Sequence, residues 1–114
     1  MYDIIILGAG SAGLTAASLF RKAGCNYLIV HHGFKGTTCA SRGCMPSKAL
    51  IQVATSYHER KKFSTFGISG SDKVGIDIAK VMKHVRSLRD GFTDSMIQGL
   101  DKYEIIYGKS KFLD

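Results

Sequence analysis

Tyr2-Asp3-Ile4-Ile5-Ile6-Leu7-Gly8-Ala9-Gly10-Ser11-Ala12-Gly13 is the stretch whose reading decides the fold. Four consecutive apolar residues, Ile4 to Leu7, predict a short strand buried on both faces of a parallel sheet, with Asp3 near its start. The glycines end it. Ser11 to Gly24 predicts a helix with Leu14, Ala17, Leu19 and Phe20 towards the core. Ala12, Ala16 and Ala17 allow close approach, and Gly24 supplies the C-terminal stop. Asn26 to Val30, apolar and β-branched, predicts the next strand. Strand, glycine turn, helix and strand in succession make a βαβ unit with a right-handed crossover.

Placement gives the glycines their chemistry. Gly8 permits a tight turn, Gly10 lets a pyrophosphate approach the backbone, and Gly13 lets the helix pack against the strand. The helix start at Ser11 and Ala12 adds N–H groups and the positive end of the helix dipole. A GxGxxG alone is a weak signal; between a strand and a helix it points to a dinucleotide site rather than a bare turn. Such a unit normally closes its second strand with Asp or Glu, whose carboxylate accepts from both ribose hydroxyls. His31 and His32 stand there instead. A neutral imidazole has one acceptor nitrogen and a protonated one has none, so a ribose contact from His31 is expected to be weaker and pH-dependent. A histidine that is simply exposed is the alternative.

Gly33 to Gly43 is turn-rich and, with Cys44 directly after it, brings together two of the three cysteines. Met45-Pro46-Ser47 then opens a helix expected to reach about Lys62, with Leu50, Val53, Ala54 and Tyr57 on one apolar stripe. After a loop from Gly67 to Gly75, Asp77 to Leu100 predicts a long amphipathic helix. Its apolar side, Ile78, Val81, Met82, Val85, Leu88, Phe92 and Met96, requires a partner. Glu104 to Tyr107 and Ser110 to Leu113 look strand-like. Met45, Met82 and Met96 are expected to fill core, His58 and His84 to lie on helix surfaces, and Cys25 to be a small buried hydrophobe.

With 114 residues, 45% hydrophobic and 22% charged, the chain has the composition of one small α/β domain with no room for a separate substrate domain. A net charge of +7 raises nucleic acid, anionic membrane or an acidic ligand as partners. The basic residues are scattered, apart from Arg60, Lys61 and Lys62 and a helically spaced set, Lys80, Lys83, Arg86 and Arg89. Aromatic residues do not interleave with either set, so no nucleic-acid surface is expected. Ile4 to Leu7 is too short to span a bilayer and no basic segment precedes it, so neither membrane insertion nor a cleaved signal is expected. The default compartment is the cytoplasm, where a cysteine pair is more often redox-active or metal-binding than structural.

That pair lies in Cys39-Ala40-Ser41-Arg42-Gly43-Cys44-Met45-Pro46-Ser47-Lys48. A bond across so small a loop is worth roughly 2 kcal/mol, at the weak end for a structural staple. Cys44 stands just ahead of a helix start, with Arg42 and Lys48 nearby in sequence, which favours a thiolate and a redox-poised pair. Zinc is the competing reading. It needs two further ligands, and Cys25, His31 and His32 are the near candidates, without the usual paired spacing.

The glycine unit together with Gly36-Thr37-Thr38-Cys39-Ala40-Ser41-Arg42-Gly43-Cys44-Met45-Pro46-Ser47-Lys48 resembles the pyridine nucleotide–disulfide oxidoreductases. Their redox stretch reads GGTCxxxGCxPSK in lipoamide dehydrogenases and mercuric reductases, whereas glutathione reductases typically carry lysine where this chain has Ser47. The resemblance is therefore to the dihydrolipoamide dehydrogenase type. It implies a Rossmann-like FAD-binding unit, with the pyrophosphate over Gly8, Gly10, Ser11, Ala12 and Gly13, and His31 at the ribose position. Gly36, Thr37, Thr38, Cys39, Gly43, Cys44 and Lys48 would lie along the remainder of the cofactor. Cys44 would face the flavin, Cys39 would attack a small-molecule dithiol or disulfide substrate, and Lys48 would stabilise negative charge on the reduced ring. Electrons would pass between NAD(P)H, FAD, the cysteine pair and the substrate. Two positions depart from the pattern: Thr37 replaces a glycine of GGTC, and His31 replaces the acidic residue. Family members are several times longer and dimeric, with nicotinamide and interface domains. The 114 residues are thus expected to form an incomplete FAD domain, inactive alone, the alternative being a non-catalytic dinucleotide-binding or redox-interaction module.

Overall fold

The computed structural model describes residues 1–33 and 36–113; positions 34 and 35 of the expected turn-rich stretch lie outside the described residues. Strand β1 (Ile4–Leu7), helix α1 (Ser11–Lys22) and strand β2 (Tyr27–His31) form the expected βαβ unit. The chain then runs through α2 (Thr38–Ser41), α3 (Cys44–Glu59), three short 3-10 turns and α4 (Ile78–Gln98), and returns to the sheet as β3 (Ile105–Tyr107). All three strands are parallel in the order β1-β2-β3, with Ile4 opposite Tyr27 and Ile29 opposite Ile105. The class is α/β, a Rossmann-like unit.

The first strand is not buried on both faces. Ile4 and Ile6 are half-buried, whereas Ile5 and Leu7 are exposed, because α1 packs on one side of the sheet only. The core lies on that side. Ala9, Ala17, Tyr27 and Ile29 are buried together, flanked by Ile4, Ile6, Leu14, Phe20, Tyr103 and Ile105. Leu19, expected inward, is 60% exposed; the inward line of α1 is Leu14, Ala17 and Phe20. Gly24 ends the α1 turn with φ 71°, as a C-terminal stop requires. Asp3 and Asn26 stitch the strand starts: the Asp3 N–H donates to the Asn26 carbonyl at 2.9 Å, and the Asn26 N–H to the Asp3 carboxylate at 3.3 Å.

The turn-rich stretch contains a helix that its composition conceals. Thr37 caps α2, its Oγ1 accepting the Ala40 N–H at 3.2 Å. Helices α3 and α4 pack along one another, so the apolar side of α4 from Val81 to Met96 finds its partner within the chain, whereas Ile78, expected on the same side, is exposed. The inward line of α3 is Ala49, Val53 and Tyr57; Leu50 and Ala54 of the expected stripe are exposed. Asp77 caps α4 by accepting the Lys80 N–H at 3.1 Å. Ser110 to Leu113, expected as strand, has no strand pairing, and Phe112 and Leu113 are exposed. The helix pair makes the molecule long, 68 × 27 × 26 Å with a radius of gyration of 21.0 Å, against about 13 Å for a compact chain of this length.

Candidate functional site

The turn after β1 is held by sterics and by β2. Gly8 has φ 100°, a conformation that favours glycine, and its N–H donates to the Val30 carbonyl at 2.8 Å. A Cβ on Gly13 would lie 2.0 Å from the Gly8 carbonyl oxygen, so only glycine lets α1 approach the turn. At Gly10 a Cβ would meet open space. No side chain caps the start of α1, and its first turn has no acidic residue, so the helix start at Ser11 and Ala12 keeps its positive character. A backbone that a side chain would obstruct, beside an uncapped helix start, fits a pyrophosphate.

His31 ends β2 half-buried, and its Nδ1 accepts the Ala9 N–H at 3.0 Å. A cleft of about 350 Å³ is lined by His31, His32, Gly33, Gly36, Thr38, Ser41 and Arg42. Arg42, expected beside Cys44, therefore joins the histidines. Gly36 takes φ 81° and sits so close to α4 that a Cβ would come within 2.8 Å of the Thr93 side chain.

Cys39 lies in α2, and Cys44 is the first residue of α3. Gly43 joins them in a turn tight enough for its N–H to donate to the Thr38 carbonyl at 2.7 Å, and a Cβ there would be 3.2 Å from the same oxygen. Both cysteines are free thiols, and their side chains meet. The hydrogen bond with Cys44 is the main influence raising the Cys39 thiol above its ordinary range, with desolvation and the charge of Cys44 adding to it. The backbone N–H groups of Cys44 and Met45 pull the other way, so the start of α3 serves the Cys39 sulfur. Lys48 stands one turn beyond Cys44 and is exposed. Among the described residues no three His, Cys, Asp or Glu side chains are gathered as a metal would need, so the zinc reading has no structural support there. Cys25, expected to be buried, is a half-buried free thiol.

A cavity of about 300 Å³ connects the two parts of the site, lined by Ser11, Thr37, Cys39, Ala40, Met45, Phe92, Ser95 and Met96. Thr37, the departure from GGTC, is buried and turned inward: besides capping α2, its hydroxyl donates to the Met96 sulfur at 3.5 Å. Phe92, Ser95 and Met96 were not expected at the site. Phe92 and Met96 belong to the apolar stripe of α4, which does not say what it faces, and Ser95 lies outside that stripe.

A protein-family model described as pyridine nucleotide-disulphide oxidoreductase matches residues 2–114. The chain belongs to this family. It is 31% identical over 112 residues to a dihydrolipoyl dehydrogenase of Trypanosoma brucei brucei, covering 96% of this chain and 23% of the relative. It is 34% identical over 115 residues to a dihydrolipoyl dehydrogenase of Geobacillus stearothermophilus, covering 98% of this chain and 24% of the relative. The chain thus spans about a quarter of the length of these relatives. Among solved structures, the copper(II) complex of the HOCl-induced flavoprotein disulfide reductase RclA of Escherichia coli matches 97% of this chain and 22% of its own, with a TM-score of 0.64 and 21% identity, a likeness of fold. The family uses FAD and NAD(P)H. No helix among the described residues is long and apolar enough to cross a membrane.

Proposed function

We propose that these residues form the N-terminal part of the FAD-binding domain of a dihydrolipoamide dehydrogenase-like disulfide oxidoreductase, carrying its redox cysteines. The observation that supports this best is the contact between the Cys39 and Cys44 side chains, at the start of α3 and beside a cavity that also reaches Ser11 of the glycine turn. In this reading Gly8, Gly10, Ser11, Ala12 and Gly13 hold the FAD pyrophosphate, and His31 stands at its ribose end. Gly36, Thr37, Thr38, Cys39, Gly43, Cys44 and Lys48 form the wall towards the flavin. When bound, the flavin relays electron pairs between NAD(P)H and the cysteine pair.

The chain's own residues perform the sulfur chemistry. The Cys39 thiolate, whose formation the Cys44 hydrogen bond opposes and the amides of Cys44 and Met45 partly offset, attacks one sulfur of a small-molecule disulfide and releases the first substrate thiolate. Cys44 then attacks the Cys39 sulfur, releases the second thiolate and leaves a Cys39–Cys44 disulfide. The two electrons given up by the pair reside on the substrate thiols, each of which takes a proton. A dithiol substrate runs the sequence in reverse. The full-length protein is proposed to be a cytoplasmic homodimer, with this chain inactive alone. A redox-interaction module is less favoured, because the apolar side of α4 that such a module would present is packed against α3.

A combined measurement tests the reading. Mass spectrometry with and without reductant should find a two-hydrogen difference that is lost in Cys39→Ser and Cys44→Ser, and added FAD should be retained with its visible absorption. A chain that keeps both thiols under a thiol-disulfide buffer and passes FAD through unbound would sink the proposal.

A further inference from the structure

We infer that His31 is a positioning residue: its Nδ1 holds the glycine turn in the shape that receives the nucleotide, so the ring's single neutral acceptor belongs to the turn and not to the ligand. The inference rests on the FAD reading above and deepens it at the ribose end.

Two successive amides of the turn hang from two successive residues of β2. The Gly8 N–H donates to the Val30 carbonyl at 2.8 Å, and the Ala9 N–H donates to His31 Nδ1 at 3.0 Å. The first bond uses backbone and tolerates any residue at position 30; the second depends on the His31 side chain. Ala9 is fully buried within the core cluster, where an amide without an acceptor is costly. A carboxylate at the end of β2 could accept this N–H with one oxygen and a ribose hydroxyl with the other. Imidazole cannot do both. With Nδ1 accepting, the hydrogen of the neutral ring is on Nε2, so the ring has no second acceptor to give a ligand. The departure from an acidic residue therefore keeps the support of the turn and gives up the second acceptor that a carboxylate would bring.

Amide side chains separate the two ring edges. In His31→Asn the carbonyl oxygen falls near the place of Nδ1, in His31→Gln near the place of Nε2, and His31→Leu offers neither. The 114-residue chain and these variants are to be compared, without nucleotide, by hydrogen exchange at the Ala9 amide and by thermal melting, then by titration with FAD. The Asn variant should keep Ala9 protection and FAD affinity near those of the unaltered chain, while the Gln and Leu variants exchange Ala9 and release FAD about tenfold more readily, the loss expected for one hydrogen bond. Nitrogen-15 shifts of the unaltered ring should report a bare Nδ1 and a protonated Nε2, a readout that needs no variant to fold. The opposite tautomer, equal Ala9 exchange in all four chains, or equally tight FAD binding by all four overturns the inference. If no chain binds FAD while Ala9 exchange still follows the Asn–Gln order, the FAD reading fails and the support of the turn by His31 stands.

Discussion

The sheet half and the helix pair of this molecule are built to different standards. Around β1, β2 and α1, Ala9, Ala17, Tyr27, Leu28 and Ile29 are buried, and one glycine has no room for a methyl group. Along α3 no residue is buried, and along α4 only Val85 is. The sheet half is specified by close contact at a cluster of buried positions, whereas the pair is specified by periodicity and one shared seam. The cysteines sit where the two meet, in α2 and the first turn of α3. Their spacing thus depends on a rigid neighbour on one side and a looser one on the other.

The largest effect that would break this contrast is at Gly13. Gly13→Ala places a Cβ 2.0 Å from a backbone oxygen, so α1 must leave the turn, and the chain should lose more than about 3 kcal/mol in denaturant titration or fail to fold. A cooperative transition near that of the unaltered chain would show that the turn yields. Next comes Ile29→Ala, which empties the largest fully buried side-chain site in the sheet half and should cost about 2–5 kcal/mol. Val85→Ala, at the one buried position of α4, should cost clearly less, and equal losses would erase the distinction between the halves. At the junction, Thr37→Ala removes the α2 cap and the contact with Met96, with an expected loss of about 1 kcal/mol. The smallest effect has the opposite sign. Gly91 lies exposed in the middle of α4 with open space around its Cβ position, so Gly91→Ala should stabilise by about 0.5–1 kcal/mol.

The junction also has a pH signature. The Cys39 thiol is held above its ordinary range mainly by its hydrogen bond with Cys44, so its thiolate forms at higher pH than that of an unperturbed cysteine. In a pH series of alkylation rates, the inflection for Cys39 should fall on the alkaline side of a model thiol. In Cys44→Ser that main cause is weakened and the inflection should move down. An upward move would reverse the assignment of cause.

Much of this was legible in the sequence where backbone chemistry dictates residue type. Gly8, Gly13 and Gly24 can be read because a tight turn, a close approach and a helix stop each require glycine. The cysteine stretch is legible because its spacing and its PSK continuation are distinctive. Other features depend on contacts that no local pattern encodes. Helix α2 was hidden in a run of turn formers, since its N-cap is Thr37, which reads as a substituted glycine until its hydroxyl is seen on the Ala40 N–H. The placement of Phe92, Ser95 and Met96 beside Cys39 follows from how α4 crosses α2, a tertiary fact. Ile5 and Leu7 read as doubly buried because an apolar run suits a covered strand, but α1 covers one face of the sheet. The direction of the His31 ring was equally out of reach: the sequence counts its acceptors without saying which neighbour takes one.

The slender outline has a practical consequence in solution. A radius of gyration of 21.0 Å is what a compact globule of about 380 residues would have. Frictional drag on a rod-like body outruns its mass, so a gel-filtration column calibrated with spheres would credit a single copy of this chain with the size of an assembly. Sedimentation equilibrium or light scattering, which weigh rather than measure girth, would return one chain from the same sample.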